Sequence, residues 1–154
     1  MNYSPPKNHL RIVPRLDTVI IGVCTYRRPQ MLAKCLKSIS AQKFLDEYSV
    51  EVVVVDNDET QSARPAYDEA DRVYPWPLHY VHQPIRGIPQ ARNSVLGFAR
   101  NKCADWLIFL DDDEAADPEC VASLLAPQFK CVPIVYGDTR QRPADVQLKW
   151  DLDA

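Results

Sequence analysis

Glycine is scarce in this chain, with four residues among 154. So few glycines cannot supply the repeats of a collagen-like or low-complexity protein. They also exclude the two glycine-rich phosphate loops, the dinucleotide-binding G-x-G-x-x-G and the P-loop, because neither spacing occurs. If the protein binds phosphates, it must do so by other means.

Patterned cysteine and histidine are also missing. The five cysteines are an odd number and include no C-x-x-C pair, and the three histidines are not spaced to share a zinc site with them. We therefore expect buried, reduced thiols, as is usual in a cytosolic protein.

Neither long apolar runs nor an excess of positive charge is present. The longest apolar runs, residues 52–55 and 106–110, are too short to cross a bilayer, and the polar first 16 residues do not resemble a secretory signal. The net charge is −3, and there is no basic patch with interleaved aromatic residues, which argues against a nucleic-acid partner. Together with 46% apolar residues, these features predict one globular domain located in the cytoplasm.

The sequence does contain a regular alternation of apolar strands and amphipathic helices. Continuous apolar, β-branched segments predict five buried strands, at residues 18–24, 50–55, 78–81, 106–110 and 132–136. Helical spacing predicts four helices, at about 29–42, at 62–72, from 89 onward, and at 117–125 with Asp117 as N-cap. This order predicts an α/β fold with a mostly parallel sheet and helices on both faces.

Polar residues collect where the predicted strands end, which is the edge where α/β sheets bind ligands. The residues in these positions are Thr25, Tyr26, Arg27, Asp56, Asp58, Arg86, Gly87, Asp111, Asp112 and Asp113. The acidic run from Asp111 to Glu114 would be strained by like-charge repulsion, which Mg²⁺ or Mn²⁺ would relieve. It does not match an EF-hand, because the sixth position from Asp111 is Ala116. A solvated acidic turn is the simpler alternative.

Four segments, in this order, resemble those of family 2 glycosyltransferases. They are Thr25-Tyr26-x-Arg28, Val52-Val53-Val54-Val55-Asp56-Asn57, Gly87 with Ala91-Arg92-Asn93, and residues 107–113, which end in the three aspartates. The segments at 21–29 and 56–59 are particularly similar to succinoglycan-type exopolysaccharide glucosyltransferases. The resemblance covers about residues 17–138.

The resemblance implies a GT-A fold that binds a nucleotide sugar, usually a UDP-sugar, with Mn²⁺ or Mg²⁺. By position, Thr25 and Tyr26 would line the uracil and ribose pocket, and Asp56 would accept a hydrogen bond from the uracil. Asp111 and Asp113 would hold ribose and metal, with Asp113 as the direct metal ligand. The other donor-binding residues in the matching segments are Arg28, Asp58, Gly87, Arg92 and Asp112.

The implied reaction is transfer of a sugar, expected to be glucose, to a growing lipid-linked saccharide. Such an acceptor would bring the protein to the inner face of the cytoplasmic membrane. Family members that invert the sugar carbon use an acidic general base well beyond the acidic run, and little sequence follows Asp113 here. We therefore expect a lead-in at 1–16, a donor-binding domain at 17–138, and at 139–154 the start of an acceptor half that is incomplete in this sequence.

Two other functions stay open at this point. The segment from Asp56 to Thr60 matches the D-x-D-x-T of haloacid-dehalogenase-type phosphotransferases, with Asp56 as the nucleophile. Against that function, no predicted strand between Asp58 and Asp111 ends in Ser or Thr. The chain could also be a nucleotide-binding module that transfers nothing.

Overall fold

The computed structural model describes residues 15–129, so the predicted fifth strand and the proposed segment at 139–154 lie outside the described residues. Within this part, strands and helices alternate as predicted. The elements are β1 (Asp17–Thr25), α1 (Pro29–Ser40), β2 (Tyr48–Asp56), α2 (Arg64–Asp71), β3 (Leu78–His82), α3 (Ile88–Asn101), β4 (Trp106–Asp111), α4 (Cys120–Leu124) and a 3₁₀ turn (Pro127–Phe129).

The four described strands form one parallel sheet in the order β3-β2-β1-β4. Their carboxyl ends are aligned, because Thr25 pairs with Asp56, and Cys24 pairs with Asp111. The chain extends from β1 to one side through β2 and β3, and then returns to place β4 on the other side. The order therefore reverses between β1 and β4, and a ligand crevice is expected at the carboxyl ends of these two strands.

Helices cover both faces of the sheet, which confirms the predicted α/β architecture. On one face, α1 and α2 pack through Leu32, Leu36 and Tyr67 against alternate residues of β1 and β2. On the other face, α3 packs through Ala91, Val95 and Ala99 against Ile20, Val53 and Val55. Both faces of β1 and β2 are thus buried, which explains why their sequences are continuously apolar rather than alternating.

Gly22, in the middle of β1, allows α3 to pack closely. A Cβ atom at this position would lie 2.3 Å from Cγ1 of Val95 and 3.4 Å from its Cβ. Because valine is β-branched and stiff in a helix, it could not simply rotate away. The glycine is therefore a packing requirement of the sheet rather than part of a turn.

The predicted start of the last helix is wrong. The helix α4 begins at Cys120, not after an Asp117 cap. The carbonyl of Asp117 accepts a hydrogen bond from Nε2 of Gln42 at 2.6 Å, and the carbonyl of Pro118 accepts one from the amide of Lys43 at 2.8 Å. These contacts tie the segment to the end of α1, and Oε1 of Gln42 then accepts the amide of Val121 at 2.9 Å.

The expectation of buried thiols holds only in part. Cys35 is buried, Cys24 and Cys120 are half-buried, and Cys103 is exposed in the turn after α3. Burial raises the pKa of Cys24 to about 11 and that of Cys35 to about 12, so both thiols stay protonated near neutral pH. No helix within residues 15–129 is long and apolar enough to span a membrane.

Candidate functional site

A buried hydrogen bond joins the ends of β1 and β4, where the strand order predicts the ligand crevice. Thr25 is the last residue of β1, and its hydroxyl donates to Oδ2 of Asp112, just beyond β4, at 2.7 Å. Both residues are buried. The thiol of Cys35, on α1, lies 3.5 Å from the carbonyl oxygen of Asp111 beneath them. The backbone of Asp111 thus contacts Cys35 of α1, and the side chain of Asp112 is bound to Thr25 of β1.

The carboxylates of the acidic run point in different directions. The run forms a turn, in which the amide of Glu114 donates to the carbonyl of Asp111 at 3.0 Å. Asp112 points inward, whereas the side chains of Asp111 and Asp113 are 61% and 52% exposed. At this edge of the sheet, two accessible carboxylates therefore flank one that is buried.

Arginines from two helix starts contact this acidic run. Nη1 of Arg28 lies 3.2 Å from Oδ1 of Asp112 and 3.2 Å from Oδ2 of Asp113. Nη2 of Arg92, in the first turns of α3, lies 3.4 Å from Oδ1 of Asp111, and its guanidinium also lies over the ring of Phe109. Both signs of charge that a metal-bound diphosphate requires are thus present at this edge.

The carboxylates of the acidic run suit a cation that is held jointly by the protein and a bound ligand. Among residues 15–129, no group of three or more His, Cys, Asp and Glu side chains is arranged to hold a metal ion unaided. A hard cation such as Mg²⁺ is commonly held by one or two carboxylates while substrate phosphates and water complete its shell. The accessible carboxylates of Asp111 and Asp113 fit that pattern.

Asp56 is fully buried at the end of β2 and organises the loop that follows. Its Oδ1 accepts the amide of Asp58 at 3.0 Å, and its Oδ2 accepts the amide of Ala63 and the hydroxyl of Tyr80, each at 2.8 Å. Burial, followed by the bond to Asp56, raises the pKa of Tyr80. A carboxylate enclosed by these donors is not available as a nucleophile, which counts against the phosphotransferase alternative.

Asp58 is a second buried carboxylate, and it is kept ionised. The hydroxyl of Thr60 donates to its Oδ2, and Nε of Arg27 lies 3.0 Å from its Oδ1. These bonds, that of Thr60 first, lower the pKa of Asp58 to about 2. Arg27 adopts a φ of 55°, which is uncommon for a residue other than glycine, and directs the chain from β1 toward α1.

Tyr26 lies between two arginines above this loop. The guanidinium carbon of Arg86 is 4.7 Å from the ring centroid of Tyr26, and that of Arg27 is 5.2 Å away. Such stacking holds a ring through cation–π attraction. The sequence placed Arg86 at the sheet edge but did not predict its contact with Tyr26, because this contact joins loops that are 60 residues apart in the sequence.

Asn57 stands in one of the segments that carry the family resemblance, but sequence reasoning gave it no role of its own. Its Nδ2 donates to the carbonyls of Gln83 and Ile85, both at 2.8 Å, and its Oδ1 accepts the amide of Gly87 at 2.7 Å. Gly87 has a φ of 150°, a conformation that other residues rarely adopt, and it directly precedes α3. Asn57 thereby fixes the loop that presents the start of α3 to the crevice.

The structure thus brings the predicted residues to one edge in two groups. The group at the crevice between β1 and β4 contains Thr25, Arg28, Arg92, Asp111, Asp112 and Asp113. The group at the end of β2 contains Tyr26, Asp56, Asp58 and Gly87. Their binding roles stay predictions.

Comparison with known proteins identifies the class to which this fold and edge belong. The family model "Glycosyl transferase family 2" matches residues 20–153. The chain therefore belongs to glycosyl transferase family 2, as its motifs predicted, and the dehalogenase-type alternative is excluded.

One curated relative is similar over most of the chain. The succinoglycan biosynthesis protein ExoM of Rhizobium meliloti (strain 1021) is 41% identical over 131 residues, which are 84% of this chain and 41% of ExoM. The resemblance to succinoglycan-type proteins is thereby confirmed. The chain spans about two fifths of the length of this relative.

Solved structures confirm the GT-A type of fold. The mannosyltransferase PcManGT from Pyrobaculum calidifontis, in complex with GDP-Man and Mn²⁺, has a TM-score of 0.60 and 26% identity over 71% of this chain and 32% of its own. S. aureus TarS 1-349 in complex with UDP has a TM-score of 0.59 and 22% identity over 71% of this chain and 31% of its own. The latter likeness concerns the fold alone.

Proposed function

We propose that this chain binds the nucleotide-sugar donor of a glycosyltransferase that transfers glucose from UDP-glucose to a growing, lipid-linked exopolysaccharide. The observation that carries the proposal is the hydrogen bond between Thr25 and Asp112, which sets two accessible carboxylates and two arginines around one crevice. The name of ExoM supports an exopolysaccharide product, and the resemblance to family 2 members that usually take UDP-sugars supports a uridine nucleotide.

The uridine is proposed to lie over the ends of β1 and β2. Tyr26, held by Arg86, would offer its ring to the nucleoside, and Thr25 would line the ribose side. Asp56 holds the loop through three internal hydrogen bonds, so its predicted direct bond to the uracil requires that loop to open. Asp58 and Gly87 would shape the pocket through the loops that they stabilise.

The diphosphate is proposed to lie between the acidic run and the start of α3. Asp111 and Asp113 would hold Mn²⁺ or Mg²⁺, which when bound supplies positive charge for the departing diphosphate. Arg28 and Arg92 would face the phosphate oxygens, and the amides at the start of α3 add partial positive charge. The hydrogen bond from Thr25 keeps Asp112 in place, and Asp112 in turn would hold Asp111 and Asp113 in a fixed arrangement relative to β1.

Acceptor recognition and the general base are assigned to no described residue. The division into a lead-in at 1–16, a donor domain at 17–138 and the start of an acceptor half at 139–154 stays a prediction. We place the protein in the cytoplasm, at the inner face of the membrane where a lipid-linked acceptor would be found.

A competition series tests the donor. A fluorescent UDP analogue bound in the presence of Mn²⁺ would be displaced by UDP-glucose, UDP-GlcNAc and GDP-mannose in separate titrations. The proposal predicts displacement by UDP-glucose at a concentration about tenfold or more below that of GDP-mannose, since a base pocket discriminates through its hydrogen bonds. Preference for GDP-mannose would refute the uridine assignment, and preference for UDP-GlcNAc would refute glucose.

A further inference from the structure

One nitrogen of Arg28 contacts two adjacent carboxylates of the acidic run, at 3.2 Å from Asp112 and 3.2 Å from Asp113. The two partners differ in exposure. Asp112 is buried and bound through its other oxygen to Thr25, whereas Asp113 is half exposed. Arg28 is therefore joined to one buried and one accessible carboxylate.

The backbone of Arg28 is anchored although its side chain is accessible. Its carbonyl accepts the amide of Leu32 at 3.0 Å, and Pro29 follows as the first residue of α1. The side chain is 51% exposed. The ion pair with Asp113, which is 52% exposed, contributes only about 0–1 kcal/mol, so the guanidinium can leave that carboxylate at little cost.

A guanidinium and a divalent cation compete for the same carboxylate. Both are positive, and Arg28 contacts Asp113, which is one of the two carboxylates to which the cation is assigned. A cation bound by Asp113 repels the guanidinium, because two positive charges then share one carboxylate. The guanidinium that leaves lacks an anionic partner on that side. Phosphate oxygens are well suited to replace it, since guanidinium binds them with charge-assisted hydrogen bonds.

Resting on the proposed function, we propose that Arg28 is an exchangeable counterion. It neutralises the acidic run before the donor binds, and it passes from Asp113 to the diphosphate when a divalent cation takes that carboxylate. Arg92 stands in the same relation to Asp111, at the longer distance of 3.4 Å. When the cation or the diphosphate binds alone, the ion pair between Arg28 and Asp113 lowers its affinity. When both bind, each raises the affinity for the other, and by the same factor.

The test measures the binding affinity of the complete 154-residue chain for Mn²⁺ alone, for UDP alone, and for each in the presence of the other. Free Mn²⁺ is followed by electron paramagnetic resonance and UDP by calorimetry. The variants are Arg28→Met, which keeps the length and removes the charge, and Arg28→Gln as a second neutral replacement. Arg72→Met is the matched control, because Arg72 is an exposed arginine at the end of α2, away from the crevice.

The exchange predicts opposite changes for the two ligands. In Arg28→Met and Arg28→Gln, Mn²⁺ alone binds about fivefold more tightly, the factor expected for loss of one exposed ion pair. UDP in the presence of Mn²⁺ binds about tenfold more weakly, because the diphosphate loses a charged partner. Arg72→Met leaves both affinities as in the wild type. A loss of the site through misfolding would weaken both ligands and thus could not imitate this pattern.

Two failures are distinguishable. If the wild type binds UDP with Mn²⁺ but both Arg28 variants bind Mn²⁺ alone no more tightly than wild type, the exchange is wrong and the donor site stands. If the folded wild type binds UDP neither with nor without Mn²⁺, the proposed function is wrong, and the exchange that rests on it falls as well.

Discussion

The hydroxyl of Thr25 and the carboxylate of Asp112 lie 2.7 Å apart, although 87 positions separate them in the chain. Thr25 ends β1 and Asp112 directly follows the neighbouring strand β4, at the point where the strand order reverses. Because both are buried, the bond is shielded from water and fixes the acidic run relative to the first strand.

Removal of this hydroxyl should destabilise the protein and loosen the crevice. Thr25→Val keeps the shape of the side chain but leaves a buried carboxylate with one donor fewer. We expect a loss of about 1–3 kcal/mol in the free energy of unfolding, measured by urea denaturation. Thr25→Ser, which keeps the hydroxyl, should retain most of the stability. Equal stability of Thr25→Val and wild type would contradict a structural role for the bond.

Asp58 should make stability depend on acid. Its pKa in the folded protein is about 2, below the ordinary 3.8, because it accepts hydrogen bonds from Thr60 and Arg27. The unfolded chain therefore takes up the proton first, so the stabilisation is complete above about pH 4 and is lost as the pH falls toward 2.

Comparison of two variants isolates this contribution. Thr60→Val removes the first donor, and its free energy of unfolding should fall less than that of the wild type between pH 5 and pH 2. Thr60→Ser should follow the wild type. If the difference between Thr60→Val and wild type is the same at both pH values, Asp58 does not titrate as stated.

Gly22 and Val95 should be coupled. Gly22→Ala places a Cβ atom 2.3 Å from Cγ1 of Val95, and such overpacking typically costs about 1–3 kcal/mol. Val95→Ala in the same chain removes the clashing atoms, so the double variant should be more stable than the sum of the two single losses predicts. Urea denaturation of all four proteins measures the coupling; strict additivity would mean that the clash is relieved elsewhere.

Asn57 should control the loop before α3. Asn57→Ala removes the contacts to the carbonyls of Gln83 and Ile85 and to the amide of Gly87. Faster amide hydrogen exchange in residues 83–88 is the expected result, with about tenfold weaker UDP binding, since several buried hydrogen bonds are lost. Asn101→Ala, at the exposed end of α3, is the control. Unchanged exchange in the loop would contradict the role given to Asn57.

The four described strands could be predicted from the sequence, because strands that are buried on both faces have a continuous apolar pattern, which is visible within a short segment. It also placed Thr25, Asp56 and Asp111 at one edge, which follows from parallel pairing alone. It could not predict the role of Asn57 or Arg86, because their partners lie on other loops. The predicted start of α4 was wrong for the same reason, since the amide of Val121 in its first turn is bound by Gln42, which is far away in the sequence.

The central claim is that this edge binds a nucleoside diphosphate together with a cation held by Asp111 and Asp113. Calorimetric titration of UDP, first with Mn²⁺ and then with a chelator, tests it most directly on wild type, Asp113→Asn and the control Asp46→Asn, an exposed acid before β2. We predict that wild type and Asp46→Asn bind UDP with Mn²⁺, and that the chelator or Asp113→Asn weakens binding about tenfold or more, equivalent to about 1.4 kcal/mol. Equal affinity with and without the chelator, or no binding by the folded wild type, would contradict the claim.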